Sequence, residues 1–223
     1  MKFTKTLIAS SILAASSLTA TVQAADASPI TANIGVASNY VWRGVTQSAD
    51  EAAVSGGIDY AHDSGFYAGG WWSNLSGNQY EQDLYAGYGF DAGPVSLDVG
   101  YIEYMYPLAN ATDDFSEIYV NASYEMITAG VAYTTGQEDN GNNGSENDLY
   151  LYVSAELEVK KGLTLGLTYG DYDIDGGSAT DDYSHIQVSL SKDDFTLAYD
   201  DTDQDGTAGD PRVSVSWSKS FDL

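Results

Sequence analysis

Two loops of this 223-residue chain carry aspartates at a spacing that could bind a cation. The aspartates are Asp171, Asp173 and Asp175 in the first loop and Asp201, Asp203 and Asp205 in the second, each set followed by a glycine. This is the first half of the calcium-loop pattern, in which carboxylate oxygens surround a hard cation and glycine permits a sharp turn. The twelfth position of the pattern is Asp182 in the first loop and Arg212 in the second, where calcium loops have a bidentate glutamate. The loops are therefore either weak Ca²⁺ sites or solvated hairpin loops rich in turn-forming residues. No other cofactor is expected.

Catalytic chemistry has little support in the sequence. The two histidines are His62 and His185, and the chain lacks both the Gly-x-Ser-x-Gly nucleophile pattern and the His-Glu-x-x-His zinc pattern. His185 has Asp181, Asp182 and Ser184 nearby and could act with one of them as a catalytic base at a barrel rim, but a single histidine of this kind is more often part of a polar lining. There is no cysteine, which excludes disulfides and thiolate metal sites. We expect a protein without enzymatic activity.

The elements that carry these residues alternate with a period of two. From Leu149 to Val159 every second residue is apolar and the intervening residues are tyrosine, serine and glutamate. Because successive side chains of a β-strand point to opposite faces, one face is apolar and the other polar. Segments of about ten residues with this alternation, separated by turn residues, are typical of transmembrane β-barrels.

The pattern predicts an all-β fold, an up-and-down antiparallel barrel of twelve strands. The predicted strands are 31–43, 51–61, 66–74, 80–90, 95–106, 115–125, 127–135, 148–159, 163–172, 182–191, 195–200 and 211–221. Short and long connections alternate strictly, so the long loops should share one end and the termini the other. A soluble barrel or sandwich has the same periodicity, but its apolar face would point inward.

The N-terminus predicts export. Lys2 and Lys5 precede an apolar stretch, and Val22-Gln23-Ala24 resembles a cleavage site, so residues 1–24 are interpreted as a cleaved signal peptide and residues 25–223 as the barrel domain. The full chain has a net charge of −25, and losing the two lysines makes the mature protein still more acidic. This charge excludes nucleic acid as a partner and favours cations as counter-ions.

Residues 38–47, Ser-Asn-Tyr-Val-Trp-Arg-Gly-Val-Thr-Gln, resemble the opening signature of the TorF-type porins of proteobacteria, a family long listed as conserved proteins of unknown function. Further segments fit the same family: 65–69, 72–74, 81–88 and 101–107. The resemblance extends over the whole mature chain. It implies a barrel in the outer membrane of Gram-negative bacteria that acts as a porin, and it brings no catalytic residues.

The polar strand face identifies candidate pore-lining residues, which are Arg43, Asp59, Glu81, Asp83, Asp98 and Glu156. We expect a narrow channel for passive diffusion of small solutes or ions that prefers cations, because wall carboxylates concentrate counter-ions. The alternative is a structural or interaction barrel whose acidic loops bind divalent cations, lipopolysaccharide through bridging ions, or a partner.

The chain is also rich in aromatic residues, with 18 tyrosines and four tryptophans. Many fall near the outer ends of predicted strands: Tyr40, Trp42, Trp71, Trp72, Tyr80, Tyr104, Tyr106, Tyr172 and Tyr183. Amphipathic rings collect at membrane interfaces, so these residues are predicted to form an aromatic girdle and to pack against one another. The alternative is that tyrosines face the lumen and stack against a sugar-like or hydrophobic solute.

Overall fold

Twelve antiparallel strands form a closed barrel. The structure, a computed structural model, describes residues 28–108, 114–137, 147–175 and 182–223. The strands are β1 Ile30–Ala37, β2 Val41–Trp42, β3 Val45–Thr46, β4 Ala53–Ala61, β5 Phe66–Asn74, β6 Tyr80–Ala92, β7 Val95–Met105, β8 Phe115–Tyr124, β9 Ile127–Gln137, β10 Leu149–Lys160, β11 Leu163–Asp173, β12 Tyr183–Lys192, β13 Phe195–Thr202 and β14 Arg212–Asp222. Two 3₁₀ turns span Ser76–Asn78 and Gly206–Gly209. β2 and β3 pair with each other, and all other strands belong to the barrel.

The barrel has up-and-down topology. Each barrel strand pairs with the next along the chain, and β1 closes the ring against β14, with Val36 opposite Trp217. The start of β1 and the last residue meet at the end that carries the short turns, where the Leu223 amide donates to the Ile30 carbonyl at 3.1 Å. The predicted count of twelve strands and the separation of short and long connections are confirmed. Parts of three long loops, residues 109–113, 138–146 and 176–181, lie outside the described residues.

The outer surface of the barrel is apolar. Val153, Leu167, Val188 and Val215 are all exposed on it, whereas the neighbouring Ser154 is buried inside. This orientation is the reverse of a soluble barrel, so the soluble alternative is wrong and the fold is a transmembrane barrel. Covering one such side chain with lipid gains about 1.5–3 kcal/mol relative to water. No helix among the described residues is long and apolar enough to cross a membrane.

Inward glycines make room for inward tyrosines. The cross-strand pairs are Tyr67 with Gly87, Tyr85 with Gly69, Tyr119 with Gly100 and Tyr152 with Gly130. In each pair a Cβ on the glycine would overlap the facing tyrosine ring. The tyrosine rings therefore lie across the neighbouring strand, and their hydroxyl ends line the lumen together with the polar groups they meet.

The first predicted strand was too long. Residues 31–43 were expected to be continuous, but β1 ends at Ala37 and the chain then turns into the lumen. Arg43 has φ 48° and Gly44 has φ 84°, and two consecutive residues in the left-handed region form the primed turn that two-residue β-hairpins prefer. The alternation of residues 38–43 therefore belongs to a separate small hairpin. The predicted signal peptide, residues 1–24, lies outside the described residues.

Candidate functional site in the barrel lumen

A loop folded into the barrel forms the centre of the site. We call residues 38–50 the inward hairpin, because they leave β1 at the end with the long loops and carry β2 and β3. Its base is closed by a polar network in which the Asn39 amide donates to Asp50 at 2.8 Å and Thr46 Oγ1 donates to Asn39 at 2.6 Å. Ser48 Oγ, 1% exposed, accepts the Tyr40 amide at 2.9 Å. From β14, Arg212 Nε donates to Asp50 at 3.1 Å and ties the base to the wall. The hairpin is therefore held in the lumen by specific bonds.

The tip of the inward hairpin places a guanidinium in the lumen. Arg43 donates through both terminal nitrogens to the two carboxylate oxygens of Glu117 on β8, at 2.9 and 2.8 Å. Its guanidinium carbon lies 4.1 Å from the ring centroids of Trp42 and Tyr150 and 4.8 Å from that of Tyr172. Both charged side chains are buried. Planar bidentate pairing combined with aromatic faces is the arrangement that suits arginine best.

The turn at the tip tolerates no larger residue. Gly44 lies against β12 and β13, where a Cβ would come within 2.6 Å of Thr202 Cγ2 and 2.7 Å of His185 Cβ. Its positive φ already favours glycine. The Arg-Gly pair therefore lets the hairpin tip pack against β12 and β13 while the arginine reaches Glu117 on β8.

Two further carboxylates lie beside this ion pair. Glu81 and Asp83 share the inward face of β6, where Glu81 is 2% exposed and Asp83 is 0% exposed. Tyr40 of the inward hairpin donates to Glu81 at 2.6 Å, and Tyr106 also bonds to this carboxylate. Neither oxygen of Asp83 has a hydrogen-bond partner in the described part of the chain. Asp83 is therefore a buried carboxyl group to which no described residue donates a hydrogen bond.

A belt of tyrosines and carboxylates lies further along the lumen. Tyr67 donates to Asp98 at 2.7 Å, and its hydroxyl lies 2.6 Å from that of Tyr119. On the adjacent wall the Tyr85 hydroxyl donates to Asp59. These carboxylates also accept bonds from asparagines, Asp59 from Asn33 at 3.1 Å and Asp98 from Asn121 at 3.2 Å. Unlike Asp83, both belt aspartates are paired.

The six predicted pore-lining residues all lie on the inner side of the barrel. Arg43, Glu81 and Asp83 converge near the inward hairpin, Asp59 and Asp98 belong to the tyrosine belt, and Glu156 lies half-buried near the short-turn end of β10. Sequence reasoning missed Glu117 and Asp200, which are both buried inside the barrel. Both are on the polar side of strands that were predicted, so the alternation itself contained the signal.

The predicted aromatic girdle is wrong for most of the residues assigned to it. Tyr40, Trp71, Tyr104, Tyr172 and Tyr183 are buried in the lumen, where they form two hydrophobic clusters around the inward hairpin. Trp42 meets Tyr104, Phe115 and Tyr172 edge to face at 6.0–6.2 Å. A position near a strand end does not by itself distinguish a ring at the membrane interface from a ring in the lumen. What decides it is whether the residue belongs to the outward or the inward face of its strand.

The aspartate-rich loops make other contacts. Ser184 donates through its amide and hydroxyl to Asp203, and the Ile174 amide donates to Asp182. Arg212, at the twelfth position of the second loop, donates to the carbonyl oxygens of residues 207, 208 and 210. Among the described residues no group of three or more His, Asp or Glu could hold a metal ion.

The first loop is only partly described. Asp171 and Asp173 are exposed on the outward face of β11, Asp175 accepts from Asn147 at 2.7 Å, and residues 176–181 lie outside the described part. In the second loop Asp201 accepts from Tyr199 at 3.1 Å, and Asp205 precedes the 3₁₀ turn. Calcium binding stays a prediction, to be checked by comparing melting in millimolar Ca²⁺ and in chelator.

His185 is buried in the lumen and does not join its sequence neighbours. Its Nε2 lies 2.8 Å from the Tyr150 hydroxyl, and the two rings stack at 5.8 Å. The Ser184 hydroxyl bonds to Asp203 instead. The histidine is therefore part of the wall around the tip of the inward hairpin.

A closed twelve-stranded barrel with an apolar exterior and a polar, tyrosine-rich lumen is a transmembrane barrel with the fold of a small porin. Residues 22–221 match the family model described as "Bacterial protein of unknown function (Gcw_chp)", and the chain belongs to this family.

The solved structures with a similar fold include two porins. The KdgM porin superposes with a TM-score of 0.57 at 9% identity, covering 86% of this chain and 99% of the porin. The NanC porin gives 0.54 at 13% identity, covering 87% and 100%. A KdgM porin in complex with disordered oligogalacturonate gives 0.53 at 9% identity, covering 87% and 98%. No curated protein matches this sequence.

Proposed function

We propose that this protein is an outer-membrane channel for passive diffusion of small solutes or ions, that it prefers cations, and that the inward hairpin forms its constriction. The observation that carries the proposal is a polar lumen crossed by a hairpin whose tip is fixed by the Arg43–Glu117 pair. Outer-membrane lipid and lipopolysaccharide would contact the apolar exterior. The resemblance of residues 38–47 to the TorF-type porins supports this function, and in the structure those residues lie in the inward hairpin.

The charges inside the barrel support a preference for cations. Asp59, Glu81, Asp83 and Asp98 face the lumen together with Glu117 and Asp200. The inward arginines, Arg43 and Arg212, are both paired with carboxylates. A low-dielectric wall with an excess of negative groups raises the local concentration of cations.

The same charges distinguish this lumen from one suited to acidic sugars. A KdgM structure contains oligogalacturonate, whose sugar units each carry a carboxylate. In the present lumen such a ligand would meet an excess of wall carboxylates. Neutral or cationic solutes that stack on tyrosine rings fit this wall better than anionic ones.

Reversal potentials in planar bilayers test the proposal. Under a KCl gradient the purified barrel should give a cation-selective potential, and the double variant Asp59→Asn with Asp98→Asn should lower it. Asp171→Asn, which removes a charge from the outward face, is the matched control and should leave the potential unchanged. An anion-selective potential, or a barrel that never conducts, would overturn the proposal.

A further inference from the structure

The guanidinium of Arg43 shows what kind of group this lumen binds. It is held by a bidentate carboxylate and by ring faces at 4.1 Å. A guanidinium or a primary ammonium is recognised by this combination, because carboxylates supply charge-assisted hydrogen bonds and aromatic faces supply cation–π attraction. The chain's own arginine thus occupies an organic-cation site.

The neighbouring carboxylates repeat the same combination without an arginine. Asp83 lies opposite Trp71 on β5 and Tyr104 on β7, and Glu81 lies two residues away on the same face. Tyr40 packs edge to face on Trp71 at 5.7 Å, so rings enclose the pair. The Asp83 carboxyl group lies within electrostatic range of Glu81 and Glu117. This position therefore has two carboxylates and several rings, and the arginines that the structure describes in the lumen, Arg43 and Arg212, pair with other carboxylates.

The burial and hydrogen bonding of Asp83 distinguish this position from an ordinary acidic cluster. It is 0% exposed, and both of its oxygens are without a hydrogen-bond partner in the described part of the chain. Burying a polar group without a hydrogen-bond partner is unfavourable, and more so when the group is charged. A bound cation would remove that cost. Glu117 is engaged by Arg43 and cannot complete a three-carboxylate cage, which favours a monovalent cation over a divalent metal.

We propose that Asp83 and Glu81, enclosed by Trp71, Tyr104 and Tyr40, form a binding site for solutes that carry a guanidinium or primary ammonium group. The assignment rests on the proposed channel function and names its solute class. The hydroxyl of Tyr40 bonds Glu81, so the inward hairpin covers the site and has to move aside when the solute enters.

Binding is measured first, without reference to conduction. The folded barrel in detergent is titrated with methylguanidinium chloride, and with KCl at equal ionic strength, while tryptophan fluorescence and melting temperature are recorded. Trp71 is opposite Asp83 and serves as the reporter. We expect saturable, methylguanidinium-specific changes. Asp83→Asn should weaken binding about tenfold or more, because a charge-assisted bond contributes about 1.5–3 kcal/mol. Asp63→Asn, which removes a charge from an exposed aspartate in the short turn between β4 and β5, should bind as the wild type does.

A substitute variant and a comparison of binding with conduction make the outcome decisive. If Asp83→Asn does not fold, as judged by circular dichroism, Glu81→Gln takes its place with the same expected loss. Equal responses to KCl and methylguanidinium, or a variant that binds like the wild type, would overturn the site. A barrel that binds methylguanidinium through Asp83 but never conducts would refute the channel and leave the site standing. A conducting barrel without such binding would refute the site alone.

Discussion

Arg43 and Glu117 lie 74 residues apart in the chain and form a buried, bidentate ion pair across the lumen. One partner belongs to the inward hairpin and the other to the barrel wall. The pair therefore joins the inward hairpin, the proposed constriction, to the wall of the barrel.

Replacing Arg43 by alanine should destabilise the barrel and open it. Removing one member of a buried ion pair costs about 3–5 kcal/mol, because the remaining charge has no partner. We expect a lower melting temperature and a higher single-channel conductance. The double variant Arg43→Ala with Glu117→Gln should recover much of the stability and keep the higher conductance. If Arg43→Ala conducts like the wild type, the hairpin is not the constriction.

Gly87→Ala should destabilise the barrel by about 1–3 kcal/mol, the usual cost of overpacking. The new methyl group would overlap the Tyr67 ring and approach the Val99 carbonyl oxygen to 2.8 Å. Gly89→Ala on the same face of β6 is the matched control, since its nearest neighbour is the Leu97 carbonyl oxygen at 3.9 Å. Urea unfolding of both variants measures the difference. Equal costs would show that the tyrosine rings do not require these glycines.

Val188→Lys should destabilise the folded barrel strongly, and Ser189→Lys should have little effect on its stability. Val188 is exposed on the outer face in the middle of β12, whereas Ser189 points inward. A lysine facing lipid near the bilayer midplane costs about 2–4 kcal/mol, and a lumen lysine stays near polar groups. Reversible folding into lipid vesicles gives both values. Similar costs for both substitutions would contradict the assignment of faces.

Protonation of Asp203 should lower the stability of the folded barrel at low pH. Hydrogen bonds from the amide and side chain of Ser184 lower the pKa of Asp203 below its ordinary value in the folded protein. A lowered pKa stabilises the fold above the unfolded value of about 3.9, and the contribution is lost as pH falls through the folded value. Carboxyl NMR titration checks the pKa directly. Ser184→Ala removes only the hydroxyl bond and keeps the amide bond, so it should raise the pKa part of the way toward the unfolded value; a pKa unchanged by that substitution would show that the hydroxyl does not contribute.

Much of the barrel could be predicted because period-two alternation is a local property. Val153 and Ser154 are consecutive, so one faces lipid and the other faces the lumen. The alternation within each strand assigns its faces independently of the other strands. The number of strands and the side of the long loops follow from counting such segments. The inward position of Asp59, Asp98 and Glu156 follows from parity in the same way.

The inward hairpin could not be predicted, because the alternation of residues 38–43 fits a longer β1 equally well. Whether Trp42 meets lipid or Tyr104 depends on where the chain bends after Ala37, and that is decided by contacts with distant strands. Glu117, Tyr150 and His185 come from three different strands, and only barrel closure brings them around Arg43.

Sequence by itself determined the strands and their faces, since these depend on neighbouring residues. Tertiary structure decided what fills the lumen, since those contacts join residues far apart in the chain.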